Sequence, residues 1–285
     1  MSRICLLAQA KNEDHYIQEW IDYHQKLNFD DIFIIQDNWS ANIRNDANVH
    51  LIDGYLTQNI GHDKKQLIYY SDFINKHNKD YDWIVIFDID EFLFLKEFND
   101  IHNFLETKTE CGSIGFHWRM FGDNNITKLN ENYKVISRFT RSCKECSVEF
   151  KSAYNMNRLR ILLGQEILDS TALVLCHEFR DLTLNGIRLR DQQFGVDGIT
   201  KIVSNYDTAN KDERIKSKDI AYLAHYRKTY PEFIERYRNT KSSFWTKFID
   251  SMDNDMTKVY QKMNPPYFNE VENKDLLNLI KDDNV

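Results

Sequence analysis

Trp83-Ile-Val-Ile-Phe87-Asp88-Ile-Asp90-Glu91-Phe-Leu93 is the stretch that decides the fold. Its first five residues are apolar on both faces of an extended chain. That is the pattern of a strand buried in a parallel sheet with helices on either side. Two aspartates separated by one apolar residue follow at once. In open α/β sheets ligands bind just outside the carboxyl ends of the strands. Two carboxylates there offer hard oxygen ligands to a divalent cation, which can bridge a diphosphate and stabilise charge on a departing phosphate oxygen. Asp-x-Asp alone is a weak signal in an Asp-rich chain. The buried strand before it and the acidic turn after it give it weight.

Upstream, the pattern alternates. Ile4–Ala8, Asp31–Gln36 and Val49–Ile52 read as strands. Glu13–Leu27 carries Ile17, Trp20, Ile21, His24 and Leu27 at helical spacing, and His62–His77 does the same through Leu67, Tyr70, Phe73 and Ile74. The expected fold is α/β, a Rossmann-like and mostly parallel sheet with helices on both faces. Downstream of residue 110, Ser113–Met120, Tyr133–Phe139, Val148–Ser152 and Thr171–His177 read as strands with no long helix between them, and Ile220–Tyr226 as a last strand. This predicts a mixed-strand second half. Pro231 stands at the favoured first position of a helix running to about Lys247, and Met252–Met263 and Asn273–Ile280 predict two short helices. The expected organisation is one domain over residues 1–248 and a C-terminal helical appendage over 249–285.

Composition narrows the classes. Nine Gly and three Pro in 285 residues exclude collagen-like, linker-rich and disordered chains. The first ten residues are a short apolar run that meets Lys11-Asn-Glu-Asp at once, so they read as a strand and not as a signal peptide. A cytoplasmic protein is therefore expected. Aromatic residues make up 13%, which suits a flat amphipathic ligand or simply an aromatic core. Cys143 and Cys146 form one C-x-x-C with no second pair, so free thiols are expected rather than a zinc site. The net charge is −7, yet residues 137–247 hold 20 Lys and Arg against 14 Asp and Glu, leaving that stretch near +6 and the remainder near −13. Such a balance argues against nucleic acid as partner. It fits a nucleotide phosphate or an anionic membrane surface.

Two further strand ends are polar. Ala10-Lys11-Asn12-Glu13 can cap the first helix with Asn12 as N-cap, or it can lie beneath a nucleotide. Asp37-Asn38 can make a turn, or it can hydrogen-bond a base or ribose. Together with Asp88–Asp90 these groups would line one edge of one parallel sheet, and that coincidence says more than any single member.

With these residues in hand, the spacing resembles the GT-A glycosyltransferases, and more narrowly glycosyltransferase family 92 and its family-2-like branch. The resemblance rests on Lys11-Asn-Glu, Tyr16-Ile-Gln-Glu-Trp20, Tyr23-His24, Asp37-Asn38 with Ser40, and Phe87-Asp-Ile-Asp-Glu-Phe-Leu93. It continues through Trp118-Arg-Met-Phe-Gly122, Ser137-Arg138-Phe139, Lys151-Ser152, His177, Ala224-His225-Tyr226-Arg227-Lys228 and Glu232-Phe233. It implies a UDP-sugar donor, with galactose the commonest transferred sugar, Mn²⁺ or Mg²⁺, and inversion at the anomeric carbon. Residue by residue it implies Asp88 and Asp90 as the metal and diphosphate motif. Lys11, Asn12, Glu13, Asp37 and Asn38 then form the donor nucleotide region, and His225 is a further metal or diphosphate ligand. A buried, satisfied histidine is the alternative for His225. Arg227 and Lys228 either neutralise diphosphate charge or are solvated charges.

Inversion in one step needs a carboxylate to take the acceptor's proton from the side opposite the leaving group. Asp123 is the first candidate, although the family usually has a small serine at that turn, and Glu149 and Asp191 are the others. Trp118 either stacks on a sugar ring or packs in the core. Residues 230–248 interleave Phe233, Tyr237, Phe244, Trp245 and Phe248 with Arg236, Arg238, Lys241 and Lys247. This helix either packs its aromatics on the domain or lies peripherally on an anionic bilayer. The latter suits a lipid-linked glycan acceptor at the inner face of a bacterial cytoplasmic membrane, in lipopolysaccharide or other surface polysaccharide synthesis. A sugar nucleotidyltransferase would need a Gly-rich basic loop after the first strand, which is missing. A non-catalytic carbohydrate-binding module would have no use for the strand-end aspartates.

Overall fold

The computed structural model describes residues 2–37, 39–57, 60–109, 112–126, 134–147, 149–163, 183–184, 187–188, 220–239, 248–252 and 254–282. The first half runs β1 (Ile4–Ala10), α1 (Ile17–Lys26), β2 (Asp31–Gln36), β3 (Val49–Asp53), α2 (His62–His77), β4 (Trp83–Ile86), β5 (Glu91–Leu95) and α3 (Ile101–Glu106). The strand order begins β3-β2-β1-β4, all parallel. The chain steps outward from β1 to β3, then returns past β1 to place β4 on its other side. The reversal between β1 and β4 is the topological switch point, where open α/β sheets bind ligands. Register brings the carboxyl ends together, since Ala10 lies beside Gln36, Gln36 beside Asp53 and Leu7 beside Ile86.

The apolar strands are buried on both faces for a visible reason. In β1, Ile4, Leu6, Ala8 and Ala10 pack with Ile17, Trp20 and Ile21 of α1. The alternate residues Cys5 and Leu7 face Tyr70, Phe73 and Ile74 of α2 on the other side. A period of two on a strand with a helix on each face favours apolar side chains at every position, and in β1 only Gln9, near the carboxyl end, is polar.

The second half is mixed, as expected. It contains β6 (Ser113–Phe121), α4 (Val135–Arg138), β7 (Arg141–Ser142), β8 (Phe150–Asn155), α5 (Met156–Leu163), the short pair β9 (Thr183–Leu184) and β10 (Ile187–Arg188), and β11 (Ala221–Tyr226). β8 is antiparallel to both β4 and β6, while β11 is parallel to β6 and antiparallel to β5. The strand expected over Tyr133–Phe139 is instead the short helix α4 in its described part. The Glu19 carboxylate on α1 accepts the Val135 and Ile136 N–H groups and so caps that helix, with Val135, Ile136 and Phe139 buried. Glu91, read as part of an acidic turn, begins β5. The strand expected over Thr171–His177 lies outside the described residues.

The C-terminal part comprises α6 (Tyr230–Asn239), α7 (Met256–Met263), a 3-10 turn (Pro266–Asn269), β12 (Val271–Glu272) and α8 (Asp275–Asp282). It is not purely helical, since β12 pairs with β7 at the sheet edge. The Tyr230 and Phe233 rings of α6 lie 5.2 and 5.3 Å from Tyr260 of α7, so the described part of the aromatic helix packs on the protein. Gly122 lets the 3-10 turn approach the end of β6: a Cβ there would stand 2.4 Å from Asn269 Oδ1.

Candidate active site

The site grows from the turn between β4 and β5. Asp88 and Asp90 sit half-buried in that turn. The Glu91 N–H donates to the Asp88 carbonyl at 3.1 Å, and the Asp88 N–H donates to Glu91 Oε2 at 2.8 Å. Glu91 is fully buried, and the Trp20 indole N–H donates to its carbonyl at 2.7 Å. β11 pairs with β5 so that His225 lies opposite Glu91, and the Tyr226 N–H donates to the Asp90 carbonyl at 3.0 Å. That register sets His225 Nε2 3.8 Å from Asp90 Oδ1. The Trp118 ring meets the His225 ring edge-on at 4.4 Å. Trp118 is thus mainly a core residue that also orients the histidine.

Two lysines reach this turn, one at each aspartate. Lys151 on β8 is fully buried, with Nζ 2.8 Å from Asp88 Oδ2 and 3.9 Å from Glu91 Oε1. Lys228, just after β11, stands 2.9 Å from Glu13 Oε2 and 3.9 Å from Asp90 Oδ2, over the face of Tyr16 at 4.6 Å. Burial pushes the Glu91 carboxyl well up against the opposing pull of Lys151. Burial also pushes His225 down to about 3, with Asp90 opposing. Its imidazole is therefore neutral at ordinary pH, the form that ligates metals.

Lys228 is held in place by a buried cluster. Glu232 accepts from the Tyr16 hydroxyl, from Arg138 Nη2 at 3.0 Å, and from the Thr229 N–H and hydroxyl at 2.7 and 2.6 Å. Burial would raise the Glu232 carboxyl, but Thr229, Tyr16 and Arg138 together hold it below the ordinary carboxylate range.

The expected site residues fall into three groups. Glu13, Asp88, Asp90, His225 and Lys228 converge. Asp37 lies at the next strand end, where Lys65 Nζ pairs with Oδ1 at 2.5 Å and Gln9 Nε2 donates to Oδ2 at 3.2 Å. Lys11 is half-buried and follows Ala10, whose carbonyl accepts the Asp37 N–H at 2.9 Å, and Asn12 is exposed. Asn12 is not the N-cap of α1: its φ is 56°, and the helix starts only at Ile17 after Tyr16. A left-handed asparagine turns the chain at the end of β1 instead.

Asp123 is engaged in structure. It accepts from the Tyr260 hydroxyl, from Asn269 Nδ2 at 3.0 Å and from the Asn125 N–H at 2.9 Å. Glu149 is half-buried, and burial raises its carboxyl against the opposing pull of Arg227. Asn38 and Asp191 lie outside the described residues. Cys143 and Cys146 are buried, and the Cys143 thiol donates to the Glu145 carbonyl at 2.7 Å. Residues that sequence reading gave no role are Lys151, Glu91, Gln66 (Nε2 3.3 Å from Asp88 Oδ1), Lys65, Arg138 and Glu232. The available signal for Lys151 was its place in the Lys151-Ser152 pair of the resemblance; the burial of all six residues of β8 appears only in the structure.

Among the described residues no three His, Cys, Asp or Glu side chains form a ready-made cation cage. The residues present still fit a divalent ion held in part by its substrate. A neutral imidazole and a carboxylate face each other at 3.8 Å, and such ions commonly take one or two protein ligands plus phosphate oxygens.

The turn between β4 and β5 thus gathers carboxylates, two lysines and a histidine at the switch point of the parallel strands. The chain belongs to glycosyltransferase family 92, whose profile matches residues 3–170. No match to a curated protein was found. Among solved structures it is similar to the mannosyltransferase Ktr4p from S. cerevisiae, at 11% identity and TM-score 0.27 over 59% of each chain. The same enzyme in complex with GDP gives 10% identity and TM-score 0.29 over 59% of this chain and 60% of that one. Core-mannan synthase A from Aspergillus fumigatus in its Mn/GDP form gives 12% and 0.29 over 59% and 63%. The chain spans about three-fifths of the length of these structures. At such TM-scores the likeness adds nothing to the topology described above.

Proposed function

We propose that the chain catalyses metal-dependent, inverting transfer of a hexose from a nucleoside diphosphate sugar to a glycan acceptor. One observation carries this reading: Asp88 and Asp90 stand at the switch point, and His225 faces Asp90 at 3.8 Å. In it, Asp90 and His225 hold Mn²⁺ or Mg²⁺, which supplies positive charge against the leaving diphosphate. Lys228 adds a second positive charge to that diphosphate. Asp37, Lys11, Asn12 and Glu13 bound the nucleotide end. The family resemblance supports uridine as the base and galactose as the sugar.

Glu149 is the proposed base. Its burial-raised carboxyl suits proton transfer near neutral pH better than an ordinary acid would, whereas Asp123 is occupied by Tyr260 and Asn269. Within this reading the acceptor is a surface or lipid-linked saccharide. In this reading the enzyme works in the cytoplasm at the inner membrane face, through the basic residues of the stretch 230–248, while Tyr230 and Phe233 pack on Tyr260. Among the described residues no helix is long and apolar enough to cross a membrane.

The test is a donor-hydrolysis and transfer assay with UDP-galactose, UDP-glucose and GDP-mannose, with Mn²⁺ or chelator, and the anomeric product followed by NMR. Metal-dependent turnover of a UDP-sugar with inversion supports the reading. Turnover of the GDP-sugar alone replaces the base. Retention, or full rate in chelator, overturns the mechanism.

A further inference from the structure

The acidic turn already contains its own cations. Lys151 is fully buried, 2.8 Å from Asp88 Oδ2 and 3.9 Å from Glu91 Oε1, and 5.9 Å above the Trp118 ring that packs on His225. Lys228 sits 2.9 Å from Glu13 Oε2 and 3.9 Å from Asp90 Oδ2. A buried charge without a partner is costly, so Lys151 has no other place to go: its β8 neighbours Ser152 and Ala153 are buried too. Without a ligand, a free divalent ion meets an Asp88 carboxylate paired at short range and the repulsion of a fixed ammonium beside it. A bound diphosphate reverses that balance by bringing several negative charges into the same space.

We propose that Lys151 is a built-in counter-cation that keeps the empty site unattractive to a divalent ion and thereby couples cation binding to arrival of the diphosphate. The inference rests on the reading of Asp88–Asp90 as a cation and diphosphate site. It makes Lys151 a positioning residue that acts through Asp88. Linkage makes the coupling reciprocal: whatever factor the nucleotide adds to cation affinity, the cation adds to nucleotide affinity. Removing the ammonium frees Asp88 for the ion and lowers that factor.

The experiment is Mn²⁺ binding to the full chain, followed by electron paramagnetic resonance and calorimetry, without nucleotide and with saturating UDP or GDP. The variants are Lys151→Met and the charge-balanced pair Lys151→Met/Glu91→Gln. The pair releases Asp88 without leaving an excess buried negative charge and serves if the single change does not fold, as judged by circular dichroism. Wild type is expected to bind Mn²⁺ at least tenfold more tightly with nucleotide than without. The variants are expected to gain at least tenfold in nucleotide-free Mn²⁺ affinity, with the nucleotide effect shrinking to match. A folded variant whose nucleotide-free affinity is unchanged or weaker, while wild type still shows nucleotide-dependent binding, overturns the role of Lys151 and leaves the proposed function standing. No Mn²⁺ binding by any form, with or without nucleotide, overturns both.

Discussion

His225 and Asp90 face each other across the strand pair β5–β11, Nε2 to Oδ1 at 3.8 Å. The distance is too long for a direct hydrogen bond and suits two ligands of one ion. Substituting His225→Gln is expected to weaken Mn²⁺-dependent nucleotide binding by roughly 10- to 100-fold, the range seen when even an outer partner of a metal site is lost. Calorimetry with and without chelator checks this, and metal-independent binding should be unchanged. A variant with wild-type Mn²⁺ dependence removes His225 from the ion's surroundings.

The proposed base predicts a pH signature. A base works only when deprotonated, so the rate should rise with pH through the Glu149 pKa, which burial places above the ordinary carboxylate range. Glu149→Gln should lower kcat by about 10²- to 10⁴-fold and abolish that acid limb. Asp123→Asn should instead keep the limb and cost stability, about 1–3 kcal/mol for disturbing a buried hydrogen-bonded group. Rate profiles and urea melts separate the two residues.

The Glu232 cluster predicts a stability effect. Arg138 and Glu232 are both about 6% exposed at their side chains and pair at 3.0 Å. Arg138→Met leaves a buried carboxylate without its cation and should cost about 3–5 kcal/mol. Chemical denaturation measures it. A loss below about 1 kcal/mol would show that Tyr16 and Thr229 suffice to hold Glu232.

Acid should destabilise the fold through its buried histidines. His24 is fully buried, its Nδ1–H donating to the Trp20 carbonyl at 2.9 Å, and burial holds its pKa at about 3 against an ordinary 6.5. The unfolded chain therefore binds more protons between those two values. This contribution is complete above pH 6.5 and is lost as pH falls toward 3, at roughly 1.4 kcal/mol per pH unit while only the unfolded form is protonated. Folding free energies measured between pH 4 and 6 should slope less in His24→Asn than in wild type.

The first half was legible because its strands carry their environment in their composition. Ile4–Ala10 and Trp83–Ile86 are apolar at every position but Gln9, which only two helical faces can satisfy, and the carboxylate turn follows directly. The second half was harder. Val135–Arg138 reads as a strand by its β-branched residues, but a carboxylate from Glu19, more than a hundred positions away, caps it as a helix. Helices over Ile101–Glu106 and Met156–Leu163 are too short to show a period clearly. In the site, the aspartates were readable from their place at a strand end, and His225 from the family resemblance. Lys151 and Glu232 stood in the resemblance without a role, because their roles come from pairing across the sheet and from burial, neither of which a local pattern records.

The central claim is that the Asp88–Asp90 turn binds a diphosphate through a divalent ion. The most direct measurement is calorimetric titration of the protein with UDP, GDP and CMP, each with Mn²⁺ and with chelator, repeated on Asp90→Asn. The account predicts nucleoside diphosphate binding that requires Mn²⁺ and is lost in the variant. Binding of equal strength in chelator, or an unaffected Asp90→Asn, would contradict it.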